Sequence, residues 1–364
     1  MYEQISNFTA LLSAYYKARR CKRYNDSILR FGFFLESNVE KLSNELTHGT
    51  YTPSPYTYFM VHDPKTRRIA APAFRDRVVQ HSLVAVIEPL FEKKFIYDSY
   101  ACRVEKGTHF GAQRVKLFLM AARCKKMQAE RERERESRRK EEVYVLQCDI
   151  AKYFQSISWD ILLTLISKTI HDKKIFSLIH KIITVHHTSL SSPDLNTTSI
   201  STKSRRGLPI GNLTSQLFAN IYLNELDHFI KEELHERWYA RYMDDFLIIH
   251  PDQQHLRQVC EHIRNFLKEA LSLDLHHKKV RISPVKQGVP FVGYRIFYDH
   301  RLVRGKTLLH MQKKHRQAIG RYRKGNLSEG DLHQILCSLR GHLNHANAWN
   351  LKKSLFKHNT NDAI

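Results

Sequence analysis

The sequence predicts a mixed fold of the α/β (α+β) class, in which helices accompany an antiparallel sheet. Apolar residues between 35 and 46 recur at the spacing of one helix face. The apolar run at 143–148, VYVLQC, has the composition of a buried strand, and Asp149 follows it. Two more apolar runs, at 238–242 and 246–250, are separated by a short turn, which is typical of a β-hairpin.

The same patterns predict the remaining elements in chain order. Residues up to about 47 read as helices, and Gly49 with the prolines after it ends the pattern. The other predicted elements are a strand at 56–60, a helix containing 78–87, a helix at 214–231, and basic helices from 308 onward, one of them capped by Ser328.

Length and composition limit the class of protein. The chain has 364 residues, of which 42% are hydrophobic, so it can bury a sizeable core. No apolar run is long enough to span a membrane, and the first residues lack the pattern of a signal peptide. The six cysteines form no C-x-x-C pair, which fits a reducing compartment. We therefore expect a soluble, cytoplasmic protein.

The charge balance favours a polyanionic partner. Lys and Arg outnumber Asp and Glu by 59 to 36, which gives a net charge of +23. Nucleic acid is the usual partner of such a surface, and a surface that only aids solubility is the plain alternative. The charged run at 123–142 is expected to be an exposed helix with weak ion pairs, inserted between two functional blocks.

Three segments contain residues that could carry chemistry. Asp149 ends a predicted strand, and Asp244 and Asp245 form the tip of the predicted hairpin. The third segment, GLPIGNLTSQ at 207–216, is a Gly/Pro loop that leads into a helix and suits close approach of an anion. Taken singly, each has a plain alternative: a strand end, a solvated turn and an ordinary loop.

Taken together, the three carboxylates indicate a metal site. Converging carboxylates repel one another unless cations neutralise them. Mg²⁺ prefers hard oxygen ligands, and two ions about 4 Å apart can activate a hydroxyl and stabilise a leaving oxygen in phosphoryl transfer. We therefore expect two Mg²⁺ ions, for which Mn²⁺ is an expected substitute.

Three motifs in this order resemble the palm of reverse transcriptases: DIAKYFQSI from Asp149, GLPIGNLTSQLFAN from Gly207 and YMDD from Tyr242. The resemblance extends from RRIAAPAFRDRVVQ at 67–80 through FVGY to SLRGHLNHANAWNLKKSLF at 338–356. It implies a right-hand polymerase with fingers, palm and thumb. The implied activity is that of an RNA-directed DNA polymerase, a nucleotidyltransferase that uses template RNA, a primer, the growing cDNA and dNTPs.

The resemblance also implies individual roles. Asp149 and Asp244 would be the principal metal ligands, with the Ile150 carbonyl and Asp245 completing the set. Phe154 lies where the family places an aromatic gate against the ribose 2′-hydroxyl; a plain core phenylalanine is the alternative.

Further positions match the family's nucleotide-binding and primer-contacting residues. Lys278 or Lys279 would protonate the leaving pyrophosphate, and the motifs leave this choice open. The primer grip would be Gly293 and Tyr294. The remaining nucleotide-binding positions implied by the motifs are Arg68, Arg75, Ile210, Gly211 and Gln216.

One departure points to a subfamily. Ile210-Gly211-x-x-x-Ser215-Gln216 replaces the commoner Gln-Gly-x-x-x-Ser-Pro, and in this it resembles enzymes of diversity-generating retroelements. Such a resemblance implies mutagenic retrohoming with errors at template adenines. It also implies a small basic accessory protein and a structured RNA, in a bacterial or phage-encoded system.

The predicted division has three parts. Residues 1–142 form N-terminal helices and fingers with the insertion at 123–142; residues 143–300 form the palm with a fingers-like loop at 185–210; residues 301–364 form a basic helical thumb. No length is expected to remain for an RNase H or endonuclease domain. The alternatives are a retron or phage-defence reverse transcriptase and a non-catalytic RNA-binding module, although intact carboxylates argue against the latter.

Overall fold

The computed structural model describes residues 1–62, 66–132, 142–190 and 205–356. The other parts of the predicted insertion and of the predicted loop, 133–141 and 191–204, lie outside the described residues. The described helices are α1 Glu3–Ser6, α2 Phe8–Ala18, α3 Asp26–Phe33, α4 Leu35–Thr47, α5 Phe74–Glu92, α6 Thr108–Glu132, α7 Tyr153–Ser156, α8 Trp159–Ser167, α9 Lys173–Leu190, α10 Leu213–His228, α11 Gln253–Leu271, α12 Gly305–Arg323, α13 Glu329–Asn344 and α14 Trp349–Phe356.

The strands form small antiparallel sheets. Their bounds are β1 Thr57–Val61, β2 Arg67–Ala71, β3 Tyr144–Asp149, β4 Tyr239–Tyr242, β5 Asp245–His250, β6 Arg281–Pro284, β7 Val289–Phe291, β8 Tyr294–Ile296 and β9 Arg301–Val303. Strands β1 and β2 pair, β7–β8–β9 form a three-stranded sheet, and a four-stranded sheet has the order β4–β5–β3–β6. This mixture of helices with antiparallel sheets confirms the predicted fold class.

The chain divides into two compact units, each built from three segments. The first unit comprises Met1–Tyr97, Ile150–Glu233 and Ile263–Leu275. The second unit comprises Asp98–Asp149, Leu234–His262 and His276–Ile364. The four-stranded and three-stranded sheets belong to the second unit, and the β1–β2 pair belongs to the first.

In the second unit, α6 packs on the four-stranded sheet through one apolar cluster. Val115 and Phe118 of α6 share this cluster with Val145, Leu247 and Ile249 of the sheet. Phe246 and Ile248, which alternate with these residues along β5, are also fully buried. Full burial of such a side chain stabilises a fold by about 1.5–3 kcal/mol. Strand β5 therefore fixes firmly the position of its first residue, Asp245.

In the first unit, the N-terminal helices pack around α5. Ile5, Leu11 and Leu46 are buried, as is Val79 of α5. The Asn7 side chain accepts a hydrogen bond from the Ala10 amide at 2.7 Å, which caps the start of α2. The helical reading of the first 47 residues is therefore confirmed.

Element boundaries lie close to the predicted ones. The helix predicted at 214–231 runs from Leu213 to His228, and a π-helical turn, Phe229–Glu233, continues it. Ser328 caps α13, since its hydroxyl accepts a hydrogen bond from the Asp331 amide at 3.1 Å. Within the described ranges, no helix combines the length and the apolar composition needed to cross a membrane.

Candidate active site

The register of β3 and β5 places two of the predicted carboxylates opposite each other. Asp149, the last residue of β3, pairs with Asp245, the first residue of β5. Strands β4 and β5 form a hairpin in which Tyr242 pairs with Asp245, so Met243 and Asp244 are its two loop residues. The predicted tight turn is therefore present, and all three carboxylates lie in the second unit.

Asp245 is the carboxylic acid whose ionisation the site perturbs most clearly. Burial raises its pKa to about 7, and the negative charges of Asp149 and Asp244 raise it in the same direction. The positive charges of Arg304 and Lys279 oppose this shift. The three carboxylates are thus close enough to disfavour simultaneous ionisation.

A lysine neutralises part of this charge. The Lys279 ammonium donates to both carboxylate oxygens of Asp149, each at 2.7 Å. Lys278, the other lysine considered from the sequence, has its backbone amide bonded to the His276 ring at 3.2 Å. The structure therefore brings Lys279 to the carboxylates.

The donor set suits a hard divalent cation. Carboxylate oxygens are the ligands that Mg²⁺ prefers, and a cationic group already lies on Asp149. Ile150 follows Asp149, is buried, and forms an antiparallel bridge with Leu275. Among the side chains that the structure describes, no three His, Cys, Asp or Glu residues are arranged as a ready-made metal site.

The predicted basic positions lie in the first unit and differ in their surroundings. The Arg68 guanidinium lies 4.1 Å from the centre of the Tyr58 ring, and its Nη2 atom is buried without a hydrogen-bond partner in the described residues. Arg75 forms an ion pair with Glu45 instead. Arg68 is therefore the better prepared of the two to receive an anion, whereas Arg75 would first have to leave Glu45.

Two hydrogen bonds join the other nucleotide-binding candidates of the first unit. The Ala70 amide of β2 donates to the Ile210 carbonyl at 3.0 Å, and the Leu208 amide donates to the Phe154 carbonyl at 2.7 Å. Strand β2, the loop at 207–212 and α7 are thus linked through their backbones.

Gly211 and Gln216 belong to the same loop and to the helix that follows it. Gly211 has φ +115°, and a Cβ there would lie 2.9 Å from a methyl carbon of Ile69, so close packing on β2 requires glycine. Gln216 lies half-buried in the first turn of α10. The Phe154 ring is also half-buried and meets Tyr153 edge to face.

Gly293 and Tyr294, the predicted primer grip, lie at the β7–β8 turn of the second unit. The Tyr294 side chain is fully buried, and its hydroxyl lies 3.1 Å from His109 Nδ1. Its ring also stacks on His342 at 4.8 Å. The Tyr294 side chain could therefore not contact a primer without rearrangement, whereas its backbone could.

Three side chains of this neighbourhood were not found from the sequence. Arg304 acts electrostatically on Asp245, while Arg241 and Ser99 contact each other at 3.1 Å. Arg304 and Ser99 belong to no motif. Arg241 carried a usable signal, because a charged residue stands alone in the apolar run at 238–242.

Comparisons with known proteins identify the family of the chain. Residues 62–296 match the family model described as reverse transcriptase (RNA-dependent DNA polymerase). The chain is 27% identical to Protein YkfC of Escherichia coli over 296 residues, which cover 72% of each protein. It is 23% identical to the group II intron-encoded protein LtrA of Lactococcus lactis over 328 residues, which cover 72% of this chain but 50% of LtrA.

Among solved structures, the chain resembles apo telomerase from Candida tropicalis with a TM-score of 0.49 and 12% identity, over 71% of this chain and 50% of that one. The family match, by contrast, spans well over half of the sequence and includes all three carboxylates, the 207–216 loop and the Arg68 strand. The chain belongs to the reverse transcriptase family.

Proposed function

We propose that this protein is an RNA-directed DNA polymerase whose reactive centre is formed by Asp149, Asp244 and Asp245. The observation that carries the proposal is the β3–β5 register, which sets Asp149 against Asp245 beside the hairpin loop that bears Asp244. A fold gains no stability from bringing like charges together, so such a cluster is best explained by a cationic ligand.

In this proposal the metal ligands are Asp149 and Asp244, completed by the Ile150 carbonyl and Asp245. Two bound Mg²⁺ ions would supply activation of the primer 3′-hydroxyl and stabilisation of the leaving pyrophosphate oxygen. The elevated pKa of Asp245 means that this group binds a proton near neutral pH when no cation is present. Metal affinity should therefore rise as the pH passes 7.

Lys279 would have two successive roles. Its ammonium group lies on Asp149, where it screens the carboxylates from each other. An ammonium released from Asp149 would be a proton donor beside the phosphates of an incoming nucleotide. We assign Lys279, not Lys278, as the group that protonates the leaving pyrophosphate, because only Lys279 is seen on the carboxylate cluster.

The first unit would supply the nucleotide site. The buried Nη2 atom of Arg68 needs an acceptor, which a triphosphate oxygen provides. The backbone link from β2 to Ile210 would hold the 207–216 loop beside that anion. Phe154, whose backbone is joined to the same loop, would crowd a ribose 2′-hydroxyl and select dNTPs.

The finer assignment is a reverse transcriptase of a diversity-generating retroelement. It is supported by Ile210, an apolar residue where the common motif has a hydrogen-bonding glutamine. Loss of that side chain's hydrogen bonds would loosen selection opposite template adenine. The proposed division is fingers in 1–142, palm in 143–300 and thumb in 301–364, with template RNA and a small basic accessory protein as partners.

The test is primer extension on a defined RNA template with Mg²⁺ and all four dNTPs, followed by sequencing of the product. Incorporation with errors concentrated at template adenines is the expected result. Accurate cDNA would still support the polymerase function, but it would favour a retron or phage-defence role over diversification. No product, even with cognate RNA and accessory protein added, would overturn the proposal in favour of an RNA-binding module.

A further inference from the structure

Arg241 is the largest fully buried side chain of the described residues, and it lies immediately before the Tyr242-Met243-Asp244-Asp245 turn. It belongs to β4, an edge strand of the four-stranded sheet. Burial of a guanidinium is costly unless its donors find acceptors. The identity of those acceptors therefore indicates what the side chain does.

The guanidinium reaches forward to the catalytic turn. Its Nη1 atom donates to the carbonyl of Met243 at 3.1 Å, and its Nη2 atom donates to the Ser99 hydroxyl at 3.1 Å. Arg241 therefore ties the first loop residue of the hairpin to a segment 142 residues earlier in the chain.

Backbone hydrogen bonds also join Arg241 to the segment that contains Ser99. The Arg241 amide donates to the Asp98 carbonyl, and the Tyr100 amide donates to the Arg241 carbonyl, both at 3.0 Å. Asp98 is itself held, because its Oδ1 atom accepts from Arg114 at 2.9 Å. Segment 98–100 thus covers the outer edge of β4 and gives the guanidinium a rigid support.

The turn has a physical need for such support. Met243 has φ +57°, a left-handed conformation that is strained for a residue with a long side chain. Two-residue hairpin loops of this kind ordinarily place glycine there. A hydrogen bond to the Met243 carbonyl resists rotation of the peptide that precedes Asp244.

We infer that Arg241 is a positioning residue for the reaction, which holds the Met243 turn so that Asp244 keeps its place beside the Asp149–Asp245 pair, and that Ser99 holds Arg241. The inference rests on the proposed function. Arg241 would contact neither nucleotide nor metal and would act only through the turn. A displacement of about 1 Å at a reacting group can lower a rate about a hundredfold.

The test measures Mg²⁺-dependent primer extension by Arg241→Lys and Ser99→Ala. Lysine keeps the charge but lacks the planar fork that serves two acceptors at once. For Arg241→Lys we expect kcat to fall about ten- to a hundredfold, the half-saturating Mg²⁺ concentration to rise, and the KM for dNTPs to change little. Ser99→Ala should shift the same two quantities in the same direction by less.

Arg281→Lys is the matched control, because Arg281 is exposed on β6, the opposite edge strand of the same sheet. Its kcat and Mg²⁺ dependence should equal those of the wild type. A second control adds Met243→Gly to Arg241→Lys: glycine adopts the positive φ without strain, so the double variant should recover part of the lost kcat.

The outcomes separate the two proposals. A wild-type protein without activity under all conditions would refute the proposed polymerase function. An active wild type with Arg241→Lys that melts at a lower temperature but keeps the wild-type kcat and Mg²⁺ dependence would overturn the positioning role. Failure of Met243→Gly to restore any activity in a folded double variant would also overturn it.

Discussion

The carboxyl group of Asp245 keeps a proton up to about pH 7, because it is buried and faces Asp149 and Asp244. An aspartate of ordinary pKa has lost its proton above about pH 4 in the unfolded chain. Between these two values the folded protein binds more protons than the unfolded chain, so the free energy of unfolding falls as the pH rises. The contribution of the protonated Asp245 carboxyl to the free energy of unfolding is complete below pH 4, and it is lost as the pH passes 7.

Replacing Asp245 with Asn should therefore stabilise the metal-free protein at pH 8, by at most about 4 kcal/mol, because the fold raises the pKa of the carboxyl from its ordinary value near 4 to about 7. Thermal unfolding at pH 5 and pH 8, without divalent cations, measures this: the gain should appear at pH 8 and shrink at pH 5. An equal gain at both values would show that ionisation is not its cause. Stabilisation by Mg²⁺ should be weaker in the variant.

Phe154→Ala should allow incorporation of ribonucleotides, because it removes the half-buried ring proposed to crowd the 2′-hydroxyl. The measurement is the ratio of kcat/KM for a dNTP to that for the matching ribonucleotide. We expect the ratio to fall while kcat/KM for the dNTP changes less. Tyr153→Phe offers a control at the adjacent aromatic residue, whose hydroxyl donates to the Ala219 carbonyl. An unchanged ratio in Phe154→Ala would remove Phe154 from sugar selection.

Ile210→Gln should lower misincorporation opposite template adenine, because it restores a hydrogen-bonding side chain at the position of the family's common glutamine. The Ile210 carbonyl accepts a hydrogen bond from the Ala70 amide, so the backbone position of the glutamine in the variant should be unchanged. Sequencing of cDNA gives the error rate at each template base. Equal error spectra for the variant and the wild type would contradict the role of Ile210 in fidelity.

Sequence motifs predicted the individual carboxylates, but not the side chains that support them. Asp149, Asp244 and Asp245 stand in recognisable patterns next to apolar strands. Ser99 does not, because its partner Arg241 is 142 positions away and only folding brings them together. For the same reason the choice between Lys278 and Lys279 needed the register of the chain after α11.

Ser328 determines where α13 begins, since its hydroxyl satisfies the Asp331 amide in the first turn of the helix. Ser328→Ala should lower the free energy of unfolding by about 1 kcal/mol, the usual value for a lost N-cap. Ser338→Ala is the matched control, because Ser338 is exposed within the same helix and alanine suits that position at least as well. Equal effects of the two variants in denaturant unfolding would contradict the capping role.

The helices and strands that the sequence predicted lie within a few residues of the observed ones, because their patterns are local. Helix α10 and the β4–β5 hairpin illustrate this, since apolar spacing and a turn suffice to define them. The order of strands in the sheet is different. Strand β3 pairs with β5 and β6, each more than 90 residues later in the sequence, and no local pattern specifies those partners.

The net charge of +23 should hold RNA to the protein independently of catalysis. Asp244→Ala with Asp245→Ala should abolish cDNA synthesis while leaving the Kd for template RNA nearly unchanged. Log Kd should rise linearly with log salt concentration, with the same slope in both proteins, because counterion release depends on basic residues. Filter binding at several salt concentrations measures the slope, and circular dichroism confirms folding. A lost affinity in a folded variant would place RNA binding at the carboxylates.

The fold class of the whole molecule followed from the apolar patterns of its helices and strands. The division into fingers, palm and thumb stays a prediction, and the compact units of the structure are a different division of the chain. The sequence predicted three consecutive parts, whereas the units of the structure are interleaved along the chain. Contacts between distant segments, such as the bridge from Ile150 to Leu275, create this interleaving. Local periodicity in a sequence contains no information about such contacts between distant segments.

Interleaving has a consequence for synthesis on the ribosome. The first unit ends at Leu275, so its last segment, Ile263–Leu275, is translated after two of the three segments of the second unit. Neither unit can be completed by an early nascent chain, and the apolar strand β3 must wait for its partners β5 and β6, which are translated later. Expression in a host with slowed translation or without ribosome-associated chaperones should therefore reduce the yield of soluble protein. The reduction should be larger than for a protein whose domains follow one another along the chain.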